Sequence, residues 1–314
     1  MDGRVGGMMR FAGAGLLVLM LAAGAWSSPT CMQFLRLSTL PRVSAMGEAA
    51  AAVRDATWAE ANPSHLTSMD GTLITFSHTS WFEDISLESL TMGTSSGKQA
   101  FGISVVGLHT DPLDEYDAVG RYLGSFRYFD FFVSGSYARA LTPSLSVGIT
   151  GKTLYEKIGW DAATGLAIDL GLGYTVPMRL ARGGLSAGLV MRNLGTEMGY
   201  HDESFPLPLT WQGGVSYEPM WLPPYMQGVV ALAYEKTRDR DGGMLAGLEI
   251  GLSDIVAVRL GHRGTYDNGD LTFGVGLALA GTSVDYAYVD LGENLGGTHR
   301  VSLGFKVGAI FPSP

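Results

Sequence analysis

From Thr72 onward, apolar residues alternate with small or polar ones at period two. Over 143–156, one series is Leu145, Val147, Ile149, Gly151, Thr153 and Tyr155. The other is Ser144, Ser146, Gly148, Thr150, Lys152, Leu154 and Glu156. Residues 166–174 set Leu166, Ile168, Leu170, Leu172 and Tyr174 against Ala167, Asp169, Gly171 and Gly173. Residues 185–192 and 271–279 repeat the pattern. Strict alternation marks strands with two unlike faces. Such segments cover 72–79, 85–93, 99–109, 124–138, 143–157, 161–175, 183–194, 208–218, 226–237, 242–251, 254–262, 269–279, 282–290 and 298–308, about fourteen in all. Turn formers such as Asp241-Gly242 and Asp267-Asn268-Gly269 separate several of them. Longer loops are expected at 110–121, 196–207 and 291–297, the first acidic with Asp111, Asp114, Glu115 and Asp117.

The front of the chain reads differently. Arg4 and Arg10 precede an apolar run from Phe11 to Trp26, which ends in Ser27 and Ser28. A positive start, a short apolar core and small exit residues predict a secretory signal peptide, cut after Ser27 or Ser28. The core is shorter than the roughly 20 residues a spanning helix needs. Ser44 to Ala56 is alanine-rich and helix-compatible, and Ala61 to Met69 reads as a turn into a second short helical piece. The expected layout is a signal peptide over 1–28, a plug segment over 29–70, a β-barrel over 71–310 and a tail over 311–314.

Composition decides which way the strands face. Charged residues are 16% of the chain, against about a quarter in soluble domains. The non-apolar faces carry mostly Gly, Ala, Ser and Thr. A soluble, secreted all-β protein would turn charged faces to water. A membrane barrel turns its apolar face to lipid and its small or polar face to a lumen. Trp160, Tyr174, Trp211, Tyr217, Trp221, Tyr234, Tyr286 and Tyr288 lie near strand ends, where interfacial girdles need them. A strand edge left open in hydrocarbon costs several kcal/mol per amide, so the sheet must close. The predicted fold is all-β: a closed antiparallel transmembrane β-barrel of an outer membrane, with a small N-terminal helical plug.

Charge and motifs narrow the function. The net charge of −9 offers no basic stripe to nucleic acid. The single Cys31 excludes an intrachain disulfide. The six histidines (65, 78, 109, 201, 262 and 299) show no metal spacing, and no nucleophile elbow or nucleotide loop occurs. No enzymatic activity and no cofactor are expected. Period two places Lys152, Glu156, Asp169, Arg192, Glu235, Glu249, Arg259, Asp285 and Lys306 toward the lumen. Both signs are present, so pairing across the interior is expected, because buried charges left unpaired are costly. Lys152, Arg192 and Arg259 are the candidates to meet a ligand carboxylate.

Five steps in order carry a resemblance. They are Phe34-Leu35-Arg36-Leu37, Ala45-Met46-Gly47, Ala50-Ala51-Ala52-Val53, Asp55-Ala56 and Asn62-Pro63 before Leu66. Ser136-Tyr137-Ala138-Arg139, Arg192-Asn193-Leu194-Gly195, Pro206-Leu207-Pro208-Leu209-Thr210 and the 285–303 hairpin extend it. The chain resembles the PorV/PorQ family, called UPF0164 in spirochaetes and related to FadL-type long-chain fatty acid transporters. Ser64-His65 after Asn62-Pro63, and an end on Phe311-Pro312-Ser313-Pro314, depart from the pattern. The resemblance implies passive uptake of long-chain fatty acids or similar hydrophobic ligands past a plug, with Gly47, Asn62 and Pro63 as plug or gating positions. It implies outer-membrane lipid and the barrel-insertion machinery as partners. The competing reading is an accessory or shuttle barrel of a type IX-like secretion system, whose loops hold an exported protein.

Overall fold

The computed structural model describes residues 29–308, apart from 56–59, 82–84, 178–181, 201–202, 265–269 and 292–295. The expected signal peptide over 1–28 and tail over 311–314 lie outside the described residues. Fourteen antiparallel strands form one closed barrel. We number them β1 (Thr72–Ser80), β2 (Ile85–Ser96), β3 (Gln99–Thr110), β4 (Tyr128–Ala140), β5 (Leu145–Ile158), β6 (Asp161–Thr175) and β7 (Gly183–Gly195). The remaining seven are β8 (Thr210–Pro219), β9 (Met226–Thr237), β10 (Gly243–Leu252), β11 (Val256–Arg263), β12 (Asp270–Leu279), β13 (Thr282–Asp290) and β14 (Gly297–Val307). Each pairs with the next, and β1 closes on β14 from Thr72↔Val307 to Ser80↔His299.

Both ends of the barrel chain, Thr72 and Val307, meet at one rim. The short connections 97–98, 253–255 and 280–281 gather there, while the long 111–127 and 196–209 segments emerge at the other. Bacterial outer-membrane barrels keep their short turns periplasmic and their long loops outside. The rims are named accordingly. Both long loops carry a hairpin beyond the barrel, Leu113–Tyr116 with Tyr122–Phe126, and Met198–Tyr200 with Glu203–Phe205. The single strand expected over 124–138 is thus two pieces, because the chain leaves the loop hairpin at Phe126 and enters the wall at Tyr128.

No described helix is long and apolar enough to cross a membrane; the strands do so. On β6, Leu166 is 59% exposed and Leu172 42%, while Asp169 between them is 2% exposed. On β12, Leu271, Phe273, Val275 and Leu277 all point outward and Thr272 is buried. This surface is the reverse of a soluble protein's and matches a hydrocarbon solvent. Trp160 at the outer rim and Trp221 at the periplasmic rim are both well exposed, at levels where a ring with a polar handle is favoured.

The plug departs from the helical expectation. Gln33–Arg36 and Pro63–Ser68 are 3₁₀ turns, and the α-helix is only Pro41–Ala45. Ser44 to Asp55 does not continue as a helix because Gly47 and Glu48 both adopt positive φ, 60° and 59°. Two successive left-handed residues turn the chain toward the wall. Its alanines serve close approach instead of helix propensity: Ala45 and Ala49 to Ala52 are all buried. The segment runs through the whole lumen. Cys31 N donates to Pro206 O at 3.2 Å near the outer rim, and Asp70 pairs with Lys306 at 3.2 Å at the periplasmic rim.

Candidate functional site: a plugged lumen with one open side

Much of the barrel's glycine is explained where the plug touches the wall. A Cβ at Gly188 would overlap the Ala51 carbonyl, and one at Gly261 would overlap Gly47 N. Gly148 faces the backbone of Pro63 and Ser64 in the same way, whereas Gly171 faces the side chains of Asn62 and Pro63. Plug backbone therefore lies directly on wall backbone, with no room for side chains between them. Wall side chains then satisfy plug carbonyls: Thr272 donates to Ala45 O at 3.0 Å, Gln212 to Glu48 O at 3.0 Å and Ser216 to Ala52 O at 2.9 Å.

Charges complete the seam. Arg42 on the plug donates twice to Glu249, at 2.8 and 2.6 Å, and pairs with Asp55 at 2.5 Å. Arg259 donates to the same Glu249 at 2.6 Å and to Asp285 at 2.6 Å. Arg263 reaches Glu48 at 3.4 Å, and Arg300 donates to Ser38 O at 2.9 Å. Arg36 meets Asp239 in an outer turn at 2.9 Å. Burial opposes the Asp239 carboxylate, but the Thr30 hydroxyl and Arg36 hold its pKa below the ordinary value. The expected pairing of lumen charges is found for Lys152, Asp169, Arg192, Glu235, Glu249, Arg259 and Asp285, but Glu156 is hydrogen-bonded to Tyr128 and Tyr200 instead of to a cation. Lys306 is the exception in position, being exposed at the rim.

The opposite side of the lumen is open. A cavity of about 90 Å³ separates the plug from β1 to β6. Its wall side is a hydroxyl face that includes Thr75, Thr91, Ser104, Ser134, Ser136 and Thr150. Its plug side is mostly apolar, with Phe34, Leu35, Leu40, Val43, Leu66 and Met69, and also presents Arg36, Ser38, Thr39 and Glu48. An apolar cavity of about 150 Å³ admits benzene, so this one is smaller than a single aromatic ring requires. Glu60 of the plug also faces it, with Oε2 accepting from Thr39 and Oε1 enclosed without a partner. Burial raises the Glu60 pKa, and the Thr39 hydrogen bond and Lys152 offset part of the rise.

The sequence-derived candidates divide between the two sides. Lys152 and Arg192 both line the cavity. Lys152 lies 2.8 Å from Asp169 and donates to Asn193 Oδ1 at 2.9 Å, and Arg192 donates to Glu235 at 2.7 Å. Arg259 is 5% exposed and sits in the ion network on the sealed side, away from the other two. Gly47, Asn62 and Pro63 are all contact points between plug and wall. Asn62 also caps the Pro63–Ser68 turn, accepting from Ser64 N at 3.1 Å, and donates to Ala51 O at 2.8 Å.

Period two missed Asn193. The β6–β7 register slips between Ile168 and Leu170, so Arg192 and Asn193 together oppose Asp169. This bulge turns two consecutive side chains inward, with Asn193 at φ 61°. Asn193 N then donates to Asp169 Oδ1 at 2.8 Å, completing the Lys152–Asp169–Asn193 triangle. The polar pair Arg192-Asn193, breaking an alternating strand, was the available signal. The histidines scatter: His65 is buried in the plug, His78 and His109 flank Glu88 on the outer surface at 3.1 Å each, and His201 lies outside the described residues.

Residues 29–151 match the model of an uncharacterised protein family, UPF0164. The UPF0164 match covers the plug, β1 to β4 and the start of β5, which supply most of the cavity lining but not Lys152, Asp169 or Arg192. No curated protein sequence matches the chain. Among solved structures, the CymD monoaromatic hydrocarbon channel is similar over 86% of this chain and 98% of its own, with a TM-score of 0.61 at 13% identity. The toluene transporter TodX of Pseudomonas putida is similar over 83% of this chain and 95% of its own, with a TM-score of 0.58 at 10% identity. Likeness at these identities establishes the fold alone: a closed β-barrel of the outer-membrane kind.

Proposed function

We propose that the barrel is a passive conduit for long-chain fatty acids or similar hydrophobic molecules that carry a polar head. The observation that carries this reading is the cavity itself, mostly apolar on the plug side and hydroxyl-bearing on the wall side, with Lys152 at its edge. A lysine ammonium has three donors. Asp169 and Asn193 engage two of them, which leaves one for a ligand carboxylate. The aliphatic tail would lie along Phe34, Leu40 and Leu66. That CymD is a monoaromatic hydrocarbon channel and TodX a toluene transporter favours the same broad class.

The test is saturable binding and liposome uptake of a labelled long-chain fatty acid by the refolded barrel. A double variant, Lys152→Met with Asp169→Asn, removes the cation without stranding its partner. It is expected to weaken fatty acid binding about tenfold, the scale of one charge-assisted hydrogen bond, and to leave the matching neutral alcohol unaffected. Equal loss for acid and alcohol would remove Lys152 from the site. No binding of either by a folded barrel would refute the conduit and favour the PorV/PorQ-like reading, in which the outer loops hold an exported protein.

A further inference from the structure

Four polar side chains near the outer rim form one hydrogen-bonded chain beneath the inward-folded loop 196–209. Asp130 on β4 and Glu156 on β5 are direct cross-strand neighbours, and both are buried. Tyr128 Oη lies 2.5 Å from Asp130 Oδ2 and 2.8 Å from Glu156 Oε1. The Tyr200 hydroxyl, from the loop hairpin, donates to Glu156 Oε2, and Met32 N of the plug donates to the same oxygen at 3.4 Å. Neither carboxyl has an ion-pair partner among the described residues. Lys152, four residues along β5, is held by Asp169.

Counting protons assigns the states. A phenol has one proton to give, so Tyr128 donates to only one of its two carboxyl neighbours. The other contact holds only if that carboxyl is itself protonated. Glu156 already accepts from Tyr200 and Met32 N, which suits a carboxylate. Asp130 is therefore the acid: it donates to Tyr128, and Tyr128 donates to Glu156.

We propose that this shared-proton chain is a pH-sensitive latch that holds loop 196–209 and the first residues of the plug over the outer mouth. Its purpose rests on the conduit reading above, since a conduit must open there. Loss of the Asp130 proton would place two negative charges directly opposite each other, with one phenol proton between them and no cation. Like charges so placed are destabilising. The facing groups are Tyr128 and Asp130 from β4, Glu156 and Lys152 from β5, Tyr200 from the loop and Cys31 from the plug. Burial and the nearby Glu156 push the Cys31 thiol up to about 12, and burial raises the Tyr200 phenol as well, so both stay neutral. Relief comes from water reaching the two carboxylates, which requires Tyr200 to give up its place and the loop to lift off the seat made by the buried Met198 and Leu207.

The chain's only cysteine is the reporter. Cys31 is buried, and its thiol donates to Phe205 O at 3.3 Å, under the loop in question. Maleimide labelling of the refolded full chain is followed between about pH 6 and about pH 9, corrected at each pH for the denatured chain's thiolate fraction. The corrected rate is expected to rise at least about tenfold across that range, the change that one group's titration permits. Asp130→Asn, which keeps a donor but cannot ionise, is expected to stay protected throughout. Tyr200→Phe is expected to label already near neutral pH. A flat corrected rate in the parent chain, or an Asp130→Asn profile that rises with it, overturns the latch. Should Asp130→Asn fail to fold, a protected Cys31 in Tyr200→Phe overturns it instead. No substrate enters this measurement, so it fails or succeeds apart from the conduit.

Discussion

The two sides of the lumen meet the same plug in opposite ways. On the side of β7 to β14, wall glycines admit plug backbone at contact distance and a network of arginines and carboxylates ties the seam. On the side of β1 to β6, hydroxyls line the wall over the upper and middle plug, and a cavity remains between the two. The contrast teaches what each residue type does inside a barrel. Glycine there removes space and fixes a neighbour, whereas serine and threonine keep space polar without charge. The plug is held along one side by the ion network and on the other mainly where Asn62 and Pro63 meet Gly148 and Gly171, which leaves the cavity above that contact. The wall itself is continuous: every neighbouring strand pair is hydrogen-bonded, and among the described residues the β6–β7 bulge is the one register slip in the β1–β14 ladder.

The comparison is broken most severely on the sealed side. Arg259→Ala leaves Glu249 and Asp285 buried with one fewer cation, at a cost of about 3 kcal/mol or more. The check is the denaturation midpoint of the refolded barrel, with fatty acid affinity unchanged in whatever fraction folds. Gly188→Leu forces a side chain into the Ala51 carbonyl and should cost about 3 kcal/mol. It should also unseat the plug, read as raised single-channel conductance in a planar bilayer. Gly135→Leu on β4 faces outward with nothing within 4 Å of a Cβ, and should change stability by no more than about 0.5 kcal/mol.

Acid sharpens the comparison more gently. His65 is buried in the plug, and burial, then the charge of Arg54, lowers its pKa to about 3. The unfolded chain takes up this proton near 6.5 and the folded one does not. Stability from neutral His65 is therefore complete above about 6.5 and is lost as pH falls from there toward 3. Both ring nitrogens lack a hydrogen-bond partner, so His65→Leu should be tolerated and should flatten that acid limb. Unfolding midpoints at a series of pH values below neutral would show it.

How far the sequence reached depended on the scale of the physics. Alternation is enforced by lipid on one face and lumen on the other at every step, so strand positions such as Asp161–Thr175 and Thr282–Asp290 were readable to the residue. That lumen charges would pair followed from the cost of burying charge, but which partners meet, Lys152 with Asp169 and Arg192 with Glu235, came only from the structure. Two kinds of feature were not readable. The plug's path is set by contact with a wall formed far along the chain, so Ser44 to Ala56 looked helical from its alanines, whereas Ala45 and Ala49 to Ala52 are buried in wall contact. Asn193 lies inside a bulge, which reverses the face of a residue without any change in composition. Asp130 faces inward in an aromatic-rich strand and pairs with Tyr128 two residues earlier, a contact that alternation places but does not reveal.

The central claim is that ligand moves along the hydroxyl side. Ser134 and Gly135 are successive residues of β4, one lining the cavity and the other facing lipid. The deciding measurement is the rate of labelled fatty acid uptake into liposomes carrying Ser134→Phe or Gly135→Phe, each shown to be a folded barrel by its heat-modifiable mobility. The account expects Ser134→Phe to lose uptake about tenfold or more, since a ring exceeds what the cavity can spare, and Gly135→Phe to keep it. Uptake unchanged in a folded Ser134→Phe barrel would place the path elsewhere and contradict the account.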